Sequence, residues 1–387
     1  MKKPTIYTIA EQCGVSYATV SLVLSGSPLV AEKTAQKVRE MAKQMGYRPN
    51  RLARGLKTGS TRTLGVILPS FVYPYHALMA EKIYLEASLR GYQVQYHLSG
   101  NDFEQEERAI QECLSAQVDG IILASVFNEM DPKQKQRNVL NELIKKNYPC
   151  VVTGVDISGV ASVTLDHYTA SVVAVKHLMK LGYTQLRLVQ LGMKHADGSC
   201  SFPRQTLQSE RGFCDMLRAY GDQDPEKKVL SRYVVKSEVT ARDGIKTHTE
   251  LSSLKYVEYD QFYPLGVDMF CQAYRENCKQ ERIGFVFGHD QMAYAVWQYC
   301  REKGLDVPGR IGLVGRGGIQ QMLPLTTVCW DYEKYAANLV EVLHHQIVQS
   351  GQATPEMPPM SPWVVEREST VLPAAQNAEA ECGVLQV

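Results

Sequence analysis

The sequence predicts a small all-α head followed by a larger α/β body. Basic residues are concentrated near the N-terminus, and beyond residue 62 short apolar runs alternate with helical patterns. A chain of 387 residues is also long enough for two or three domains. We therefore expect a head at 1–49, a connecting segment at 50–61, a body at 62–372 and a disordered tail at 373–387.

The positive charge of the chain lies in its head. Residues 1–62 contain eleven lysines and arginines but three glutamates, a net charge of +8, whereas the remainder carries −7. A basic head on a mildly acidic body favours a polyanionic partner such as nucleic acid. A solvated basic surface would have the same composition, so the charge needs a second observation beside it.

Three short helices in the head supply that observation. Thr5 can cap the first, which ends before Gly14, and Ser16 can cap the second, "YATVSLVL". The third spans about residues 31–45, and one apolar face of each helix would form a shared core. A helix, a turn containing glycine and a second capped helix are typical of the helix-turn-helix motif. Its second helix would turn Tyr17 and Leu22 outward, which favours DNA binding over a plain three-helix bundle.

The body contains seven short apolar runs that are typical of buried strands, with amphipathic segments between them. This alternation predicts parallel α/β sheets, and two such sheets account for the length of the body. The predicted strands are "TLGVILP", "YQVQYHL", "VDGIILAS", "PCVVTGV", "QLRLVQLG", "IGFVFG" and "RIGLVGRG".

The chain resembles the lac repressor (LacI/GalR) family of bacterial transcription regulators. The motifs "GVSYATVS" and "GYRPNRLARGL" carry the resemblance in the head, and "LDHYTASVVAVKHLMKLGYTQLRLV" carries it in the body. The resemblance implies a body of two Rossmann-like lobes, similar to periplasmic binding proteins, with an effector cleft between them. On that basis the first lobe covers about 62–157 plus 330–352, and the second about 158–328 plus 357–372.

The resemblance also implies which head residues contact DNA. Tyr17, Ala18 and Leu22 would read bases, but many members of the family carry arginine at the position of Leu22. Leucine can contact a thymine methyl and cannot form the paired hydrogen bonds of arginine with guanine, so the operator preference should differ. The implied major-groove residues are Ser16, Tyr17, Ala18, Ser21 and Leu22, and the implied backbone contacts are Thr5, Thr19, Thr34, Tyr47, Asn50, Arg51, Arg54 and Lys57.

The segment "RLARGLK" follows Pro49 and would form a short hinge helix. Such a helix is marginal alone, and Gly55 weakens it further, so it should depend on pairing with a second subunit on DNA. The resemblance implies that Leu56 then enters the minor groove as a wedge, with Ala53 allowing the paired helices to approach closely. The alternative is that Leu56 packs against the body.

In the cleft, two positions depart from the family pattern. Ser209 stands where an arginine is expected, and Arg316-Gly317 replaces an acidic pair. An ordinary sugar ligand is therefore in doubt. Arg316 could favour an anionic ligand or could pair with a cleft carboxylate, and the sequence leaves both open. The implied effector-binding residues are Tyr75, His76, Asp156, Asp166, Ser209, Arg211, His289, Asp290, Arg316 and Trp330.

Several classes of function find no support in the sequence. "GRGG" at 315–318 lacks the phosphate-loop pattern, and the ten cysteines lack metal-ligand spacing, so we expect no enzyme, cofactor or metal site. Neither a signal stretch nor a run of about 18 apolar residues is present, which predicts a cytoplasmic protein without membrane contact. Residues 193–208 and 221–262 are expected to be surface insertions.

Three hypotheses about function follow. The first is a repressor that binds a palindromic operator as a homodimer, with its affinity controlled by a small molecule, either a sugar or a related metabolite that could be anionic. The second keeps the DNA-binding head but has a body that no longer senses a small molecule and is controlled by a partner protein or not at all. The third is a binding protein or enzyme whose head is incidental. A tail without leucine heptads favours a dimer over a tetramer.

Overall fold

The chain divides into two units at Thr61, the first covering Met1–Thr61 and the second Arg62–Val387. The computed structural model describes residues 4–47, 59–71, 74–100, 102–125, 138–194, 200–235, 237–238, 255–256, 262–276, 281–318, 324–349 and 351–371. Within these ranges, every helix is too short or too polar to cross a membrane.

The first unit contains the three predicted helices, α1 (Ile6–Cys13), α2 (Tyr17–Leu24) and α3 (Glu32–Gln44). The side chain of Thr5 accepts a hydrogen bond from the Thr8 amide at 3.2 Å, and Ser16 accepts one from the Thr19 amide at 3.1 Å, so both predicted caps are confirmed. Gly14 ends α1 with a φ of 65°, a conformation that favours glycine. The three helices bury one core, which is Ile9, Ala10, Cys13, Val20, Val23, Ala35, Val38 and Ala42.

The second unit begins with a five-stranded parallel sheet in the order β2-β1-β3-β4-β5. Apolar residues fill its central strands on both faces, because helices cover both sides of a parallel sheet. The strands are β1 (Thr63–Leu68), β2 (Gln93–Leu98), β3 (Gly120–Ala124), β4 (Cys150–Thr153) and β5 (Ala161–Val163). The helices between them are α4 (Pro74–Leu89), α5 (Phe103–Ser115) and α6 (Asn138–Lys145).

A second sheet follows, in the order β14-β13-β12-β11-β6-β7, with β8 also pairing with β6. The pairings among β8, β6, β11, β12 and β13 are parallel, whereas β7 and β14 are antiparallel to their neighbours. Its strands are β6 (Gln185–Lys194), β7 (Cys200–Ser201), β8 (Val229–Val235), β11 (Ile283–Phe287), β12 (Ile311–Arg316), β13 (Thr326–Cys329) and β14 (Trp363–Val365). The remaining elements are α7 (His167–Lys180), α8 (Arg204–Ala219), a two-stranded ribbon of β9 (Ser237–Glu238) and β10 (Lys255–Tyr256), α9 (Phe262–Glu276), α10 (Asp290–Glu302) and α11 (Tyr332–Val348).

The chain passes between the two lobes after β5, after β13 and after α11. The first and third passages are held together, because the Met360 amide donates to the Thr164 carbonyl at 2.9 Å and the Asp166 amide donates to the Met360 carbonyl at 3.0 Å. α11 packs against α4 and the first sheet, although it follows the second sheet in the chain. These passages join the lobes through backbone hydrogen bonds as well as through the chain itself.

Two expectations about the body need correction. Residues 161–163 pair with β4 and lie in the first lobe, whereas we expected the second lobe to begin near 158. The stretch 221–262 is also more than a surface insertion, because β8 pairs with β6 along seven residues and extends the second sheet. Residues 204–208 likewise belong to α8.

Candidate functional site

The exposed face of α2 is the first candidate surface. Tyr17 is 54% exposed and Leu22 is 38% exposed, while Val20 and Val23 on the opposite face are buried. Ala18 is also exposed, and Ser21 is half-buried. A capped helix on a basic unit thus presents aromatic and apolar side chains to solvent, as a recognition helix does.

Tyr7 extends this surface, although the sequence pattern did not single it out. Its ring lies 5.6 Å from the ring of Tyr17, between centroids, and it is 65% exposed. The available signal was its position on α1, away from the apolar stripe of Ile6, Ile9 and Ala10. Two adjacent tyrosines offer two hydroxyl groups for contacts with DNA.

The expected backbone contacts fall into two groups. Thr5, Ser16 and Thr19 form the caps of α1 and α2, Thr34 is half-buried, and Tyr47 packs against the core of the head. A cap that positions a helix and a phosphate contact are compatible, since a hydroxyl can donate one hydrogen bond and accept another. The other predicted residues lie outside the described residues: Asn50, Arg51, Ala53, Arg54, Leu56 and Lys57.

The second candidate site lies at the carboxyl ends of the strands in the second sheet. β11, β12 and β13 are parallel neighbours, so their ends meet at one edge. Arg316 is the last residue of β12, His289 follows β11, and Trp330 follows β13. The topology therefore brings together three of the predicted effector-binding residues.

Arg316 is the central residue of this group. Its side chain is buried, and Nη1 donates a hydrogen bond to the Ser209 hydroxyl on α8. Burial lowers the pKa of Arg316 to about 10, and Asp290 acts in the opposite direction. The resemblance led us to expect an arginine at position 209. Because Ser209 is small, the guanidinium of Arg316 lies where that arginine side chain would be.

Asp290 is a buried carboxylate that holds the loop after β12. Its two oxygens accept hydrogen bonds from the Gly318 amide at 2.7 Å and from the Thr327 hydroxyl at 2.6 Å. This arrangement links the start of α10 to the ends of β12 and β13. We therefore assign Asp290 a structural role as well as an electrostatic one beside Arg316.

Aromatic and imidazole rings line the rest of the cleft. The rings of His167 and Trp330 lie 5.2 Å apart between centroids, and those of Tyr75 and Tyr332 lie 5.5 Å apart. Burial lowers the pKa of His167 to about 3, with further contributions from Arg316 and His289. His289 is accessible to solvent, but the surrounding protein, Arg316 and His76 lower its pKa to about 4.

The side of the cleft that belongs to the first lobe is held by Tyr75, His76 and Tyr332. Nδ1 of His76 lies 2.9 Å from the Ser70 carbonyl, and burial lowers the pKa of His76 to about 4. The Tyr332 hydroxyl donates to the Gly317 carbonyl at 2.6 Å. Because Tyr332 begins α11 and Gly317 follows β12, this hydrogen bond joins the two lobes across the cleft.

Three predicted effector-binding residues make contacts within the protein. Asp156 pairs with Arg204 of the second lobe at 2.8 Å, and Asp166 caps α7 by accepting from the Thr169 amide at 2.8 Å. Arg211 is exposed, and its Nε lies 3.6 Å from Asp215 on the same helix. Two residues beyond buried Ser209, a helical side chain points to the opposite side, so Arg211 lies away from Arg316.

A larger side chain at position 209 should destabilise the body. Ser209→Arg would place a second guanidinium beside Arg316 at a position where both side chains are buried. We expect the free energy of unfolding to fall by about 1–3 kcal/mol from overpacking alone. Chemical denaturation monitored by circular dichroism measures this. An unchanged midpoint would mean that Arg316 does not occupy this volume.

Three protein-family models match the chain. The model described as "Bacterial regulatory proteins, lacI family" matches residues 5–50. "Periplasmic binding proteins and sugar binding domain of LacI family" matches 61–248, and "Periplasmic binding protein-like domain" matches 175–370. The matches cover the head and both lobes of the body.

Among curated proteins, catabolite control protein A of Priestia megaterium is 29% identical over 314 residues, which are 80% of this chain and 81% of that protein. The protein of the same name from Staphylococcus epidermidis is 32% identical over 260 residues, which are 64% of this chain and 70% of that protein. Both relatives are regulators rather than enzymes, in agreement with the absence of catalytic motifs.

Solved structures share the fold. The lac repressor dimer bound to operator and the anti-inducer ONPF has a TM-score of 0.72 at 20% identity, with 96% of this chain and 100% of that chain covered. The complex of the transcriptional regulator CelR with cellobiose has a TM-score of 0.59 at 20% identity, with 95% and 99% covered. These matches agree with the predicted helical head and two-lobed α/β body.

Proposed function

Because this chain belongs to the LacI family of bacterial regulatory proteins, and is thus a DNA-binding transcription regulator, we propose that it is a repressor controlled by a small molecule. It binds a palindromic operator as a homodimer in the cytoplasm, and its effector binds in the cleft between the lobes. The observation that carries the DNA-binding part is the capped α2 helix, with Tyr17 and Leu22 exposed above a buried core.

The hinge residues complete the proposed interface. Arg51, Arg54 and Lys57 contact phosphates, and Leu56 enters the central base step of the operator with its copy from the second subunit. Support comes from the sequence pattern, because a short basic segment that also carries leucine suits a kinked minor groove.

Selection of binding sites from genomic fragments tests this function directly. Purified full-length protein is mixed with the fragments at fixed salt, and the retained DNA is sequenced. An enriched palindrome with a flexible central step supports the homodimer and the hinge. Enrichment of no motif, both with and without cell metabolites, would contradict the proposal.

Transcription from the promoters next to the selected sites, measured with and without the regulator, then shows whether the protein represses.

The base preference should depend on Leu22. Replacing it with arginine adds a guanidinium that can form two hydrogen bonds with guanine, which are worth about 1–3 kcal/mol of discrimination. We expect Leu22→Arg to favour half-sites with guanine at the facing position by about tenfold or more. Parallel site selection with the two proteins measures this. An unchanged motif would remove Leu22 from the base-reading set.

A second candidate function is favoured by the contacts that already occupy the cleft. Ser209 accepts from Arg316, and Tyr332 joins Gly317 across the lobes, so the body could be controlled by a partner protein without a small molecule. Thermal unfolding in the presence of fractionated metabolites separates the two functions. A saturable increase in melting temperature supports small-molecule control, and its absence across all fractions supports the second candidate.

A further inference from the structure

We propose that the cleft binds a small organic anion, whose carboxylate or phosphate oxygens accept hydrogen bonds from Arg316 and Trp330. This inference rests on the proposed control by a small molecule and specifies the chemical class of that molecule. It distinguishes this chain from a regulator that responds to a neutral sugar.

The first argument is that buried donors in the cleft lack acceptors. Nη2 of Arg316 and Nε1 of Trp330 are both buried, and neither has a hydrogen-bond partner among the residues that the structure describes. Native proteins leave few such groups unsatisfied, because a buried donor without an acceptor is destabilising. The acceptor oxygens of a bound molecule could satisfy both of these donors beside one cleft.

These two donors belong to one continuous group of contacts. Arg316 donates to the Ser209 hydroxyl, which lies 3.5 Å from the His167 carbonyl, and the ring of His167 packs against Trp330. Nδ1 of His167 is also buried without a partner. The guanidinium, the indole and the imidazole are therefore linked by contacts within one region of the cleft.

The second argument is that the cleft carboxylates are already engaged. Asp290 accepts from Gly318 and Thr327, Asp166 caps α7, and Asp156 pairs with Arg204. A neutral sugar needs acceptors for its hydroxyl protons as well as donors. The donors remain available here, so the site matches a molecule that brings its own acceptor oxygens and a negative charge.

The electrostatic environment points the same way. Beyond the effect of burial, Arg316 lowers the pKa of both His167 and His289, as a positive local potential does. His167 and His289 are neutral at neutral pH, so neither repels an anion. Arg316 is buried, so its interaction with an anion is screened less by solvent than that of a surface arginine.

Isothermal titration calorimetry on the full-length protein tests the proposal. The probes are inorganic phosphate, glucuronate and glucose 6-phosphate, with glucose as the neutral match and ionic strength held constant with chloride. Saturable binding of glucuronate or glucose 6-phosphate, at least about tenfold tighter than glucose, is expected. Phosphate reports whether the anionic group alone binds. Tighter binding of glucose than of any anion, or saturable binding of no anion, would overturn the proposal.

Variants of matched charge locate the site. Arg316→Gln should weaken binding of the anion at least about tenfold, whereas Arg211→Gln, which removes an exposed arginine from the same lobe, should leave it unchanged. Trp330→Phe keeps the aromatic ring, removes the N–H and should weaken binding while the protein remains folded. Equal affinity in Trp330→Phe and the unaltered protein would contradict the role of the indole, even if Arg316→Gln does not fold.

Operator binding in the absence of anion distinguishes a failure of this inference from a failure of the proposed function on which it rests. If the protein selects a palindrome but responds to glucose rather than to anions, only the ligand class is wrong. If it selects no DNA sequence, the proposed function fails whatever the cleft binds.

Discussion

Replacing Asp290 with alanine is expected to lower the free energy of unfolding of the body by about 3–5 kcal/mol. The substitution leaves the Gly318 amide and the Thr327 hydroxyl without their acceptor, in a region where Asp290 itself is 2% exposed. It also removes the carboxylate that counteracts the desolvation of Arg316. Denaturant unfolding at neutral pH, followed by tryptophan fluorescence and circular dichroism, measures the loss.

Two further substitutions interpret that result. Asp290→Asn keeps one acceptor oxygen but loses the charge, so its free energy of unfolding should lie between those of Asp290→Ala and the unaltered protein. Asp156→Ala removes a carboxylate of the exposed pair with Arg204 and should cost less than about 1 kcal/mol. If Asp290→Ala were no more destabilising than Asp156→Ala, Asp290 would not hold the loop after β12.

Replacing Leu56 with alanine is expected to lower affinity for the selected operator about a hundredfold. Insertion of an apolar side chain between base steps kinks the duplex and permits additional contacts, a coupling worth a few kcal/mol. Arg51, Arg54 and Lys57 remain, so weak, salt-sensitive binding to random DNA should persist. Fluorescence anisotropy with operator and random duplexes at one salt concentration measures both affinities.

The control is a leucine of the body. Leu207→Ala shortens a half-exposed leucine on α8 and should leave both DNA affinities unchanged. An equal decrease of specific and random affinity in Leu56→Ala would mean that the substitution weakens general contacts rather than a wedge. Unchanged operator affinity would support the alternative in which Leu56 packs against the body.

Local sequence patterns were sufficient for the elements that have a strong local signal. The caps at Thr5 and Ser16 depend on one side chain and an amide three residues away, and both form as predicted. The seven predicted strands correspond to β1, β2, β3, β4, β6, β11 and β12. β1, β3, β4, β11 and β12 are almost continuously buried, as strands with both faces covered are, whereas the edge strand β2 alternates exposed and half-buried residues at its start.

The strands that escaped prediction include several at the edges of the two sheets. β5 has three residues and β14 adds an antiparallel edge from far along the chain, so neither carries a distinctive period. β8 is largely apolar, but it lies within the mostly polar stretch 221–262, which was assigned as a whole to a surface insertion. The first lobe extends through β5, beyond the expected boundary near residue 158, because strand pairing rather than composition determines which sheet a segment joins.

The residues of the candidate site show the same division. The sequence alone identified the departures at Ser209 and Arg316, because they differ in chemistry from the pattern that the chain resembles. It could not show that Arg316 donates a hydrogen bond to Ser209. Nor could it show that Asp290 and Asp166 accept hydrogen bonds within the protein, or that Arg211 points away from Arg316. Those facts depend on side chains that are far apart in the chain and on the side of a helix that packs against the sheet, and they follow only when the long-range contacts of the body are formed.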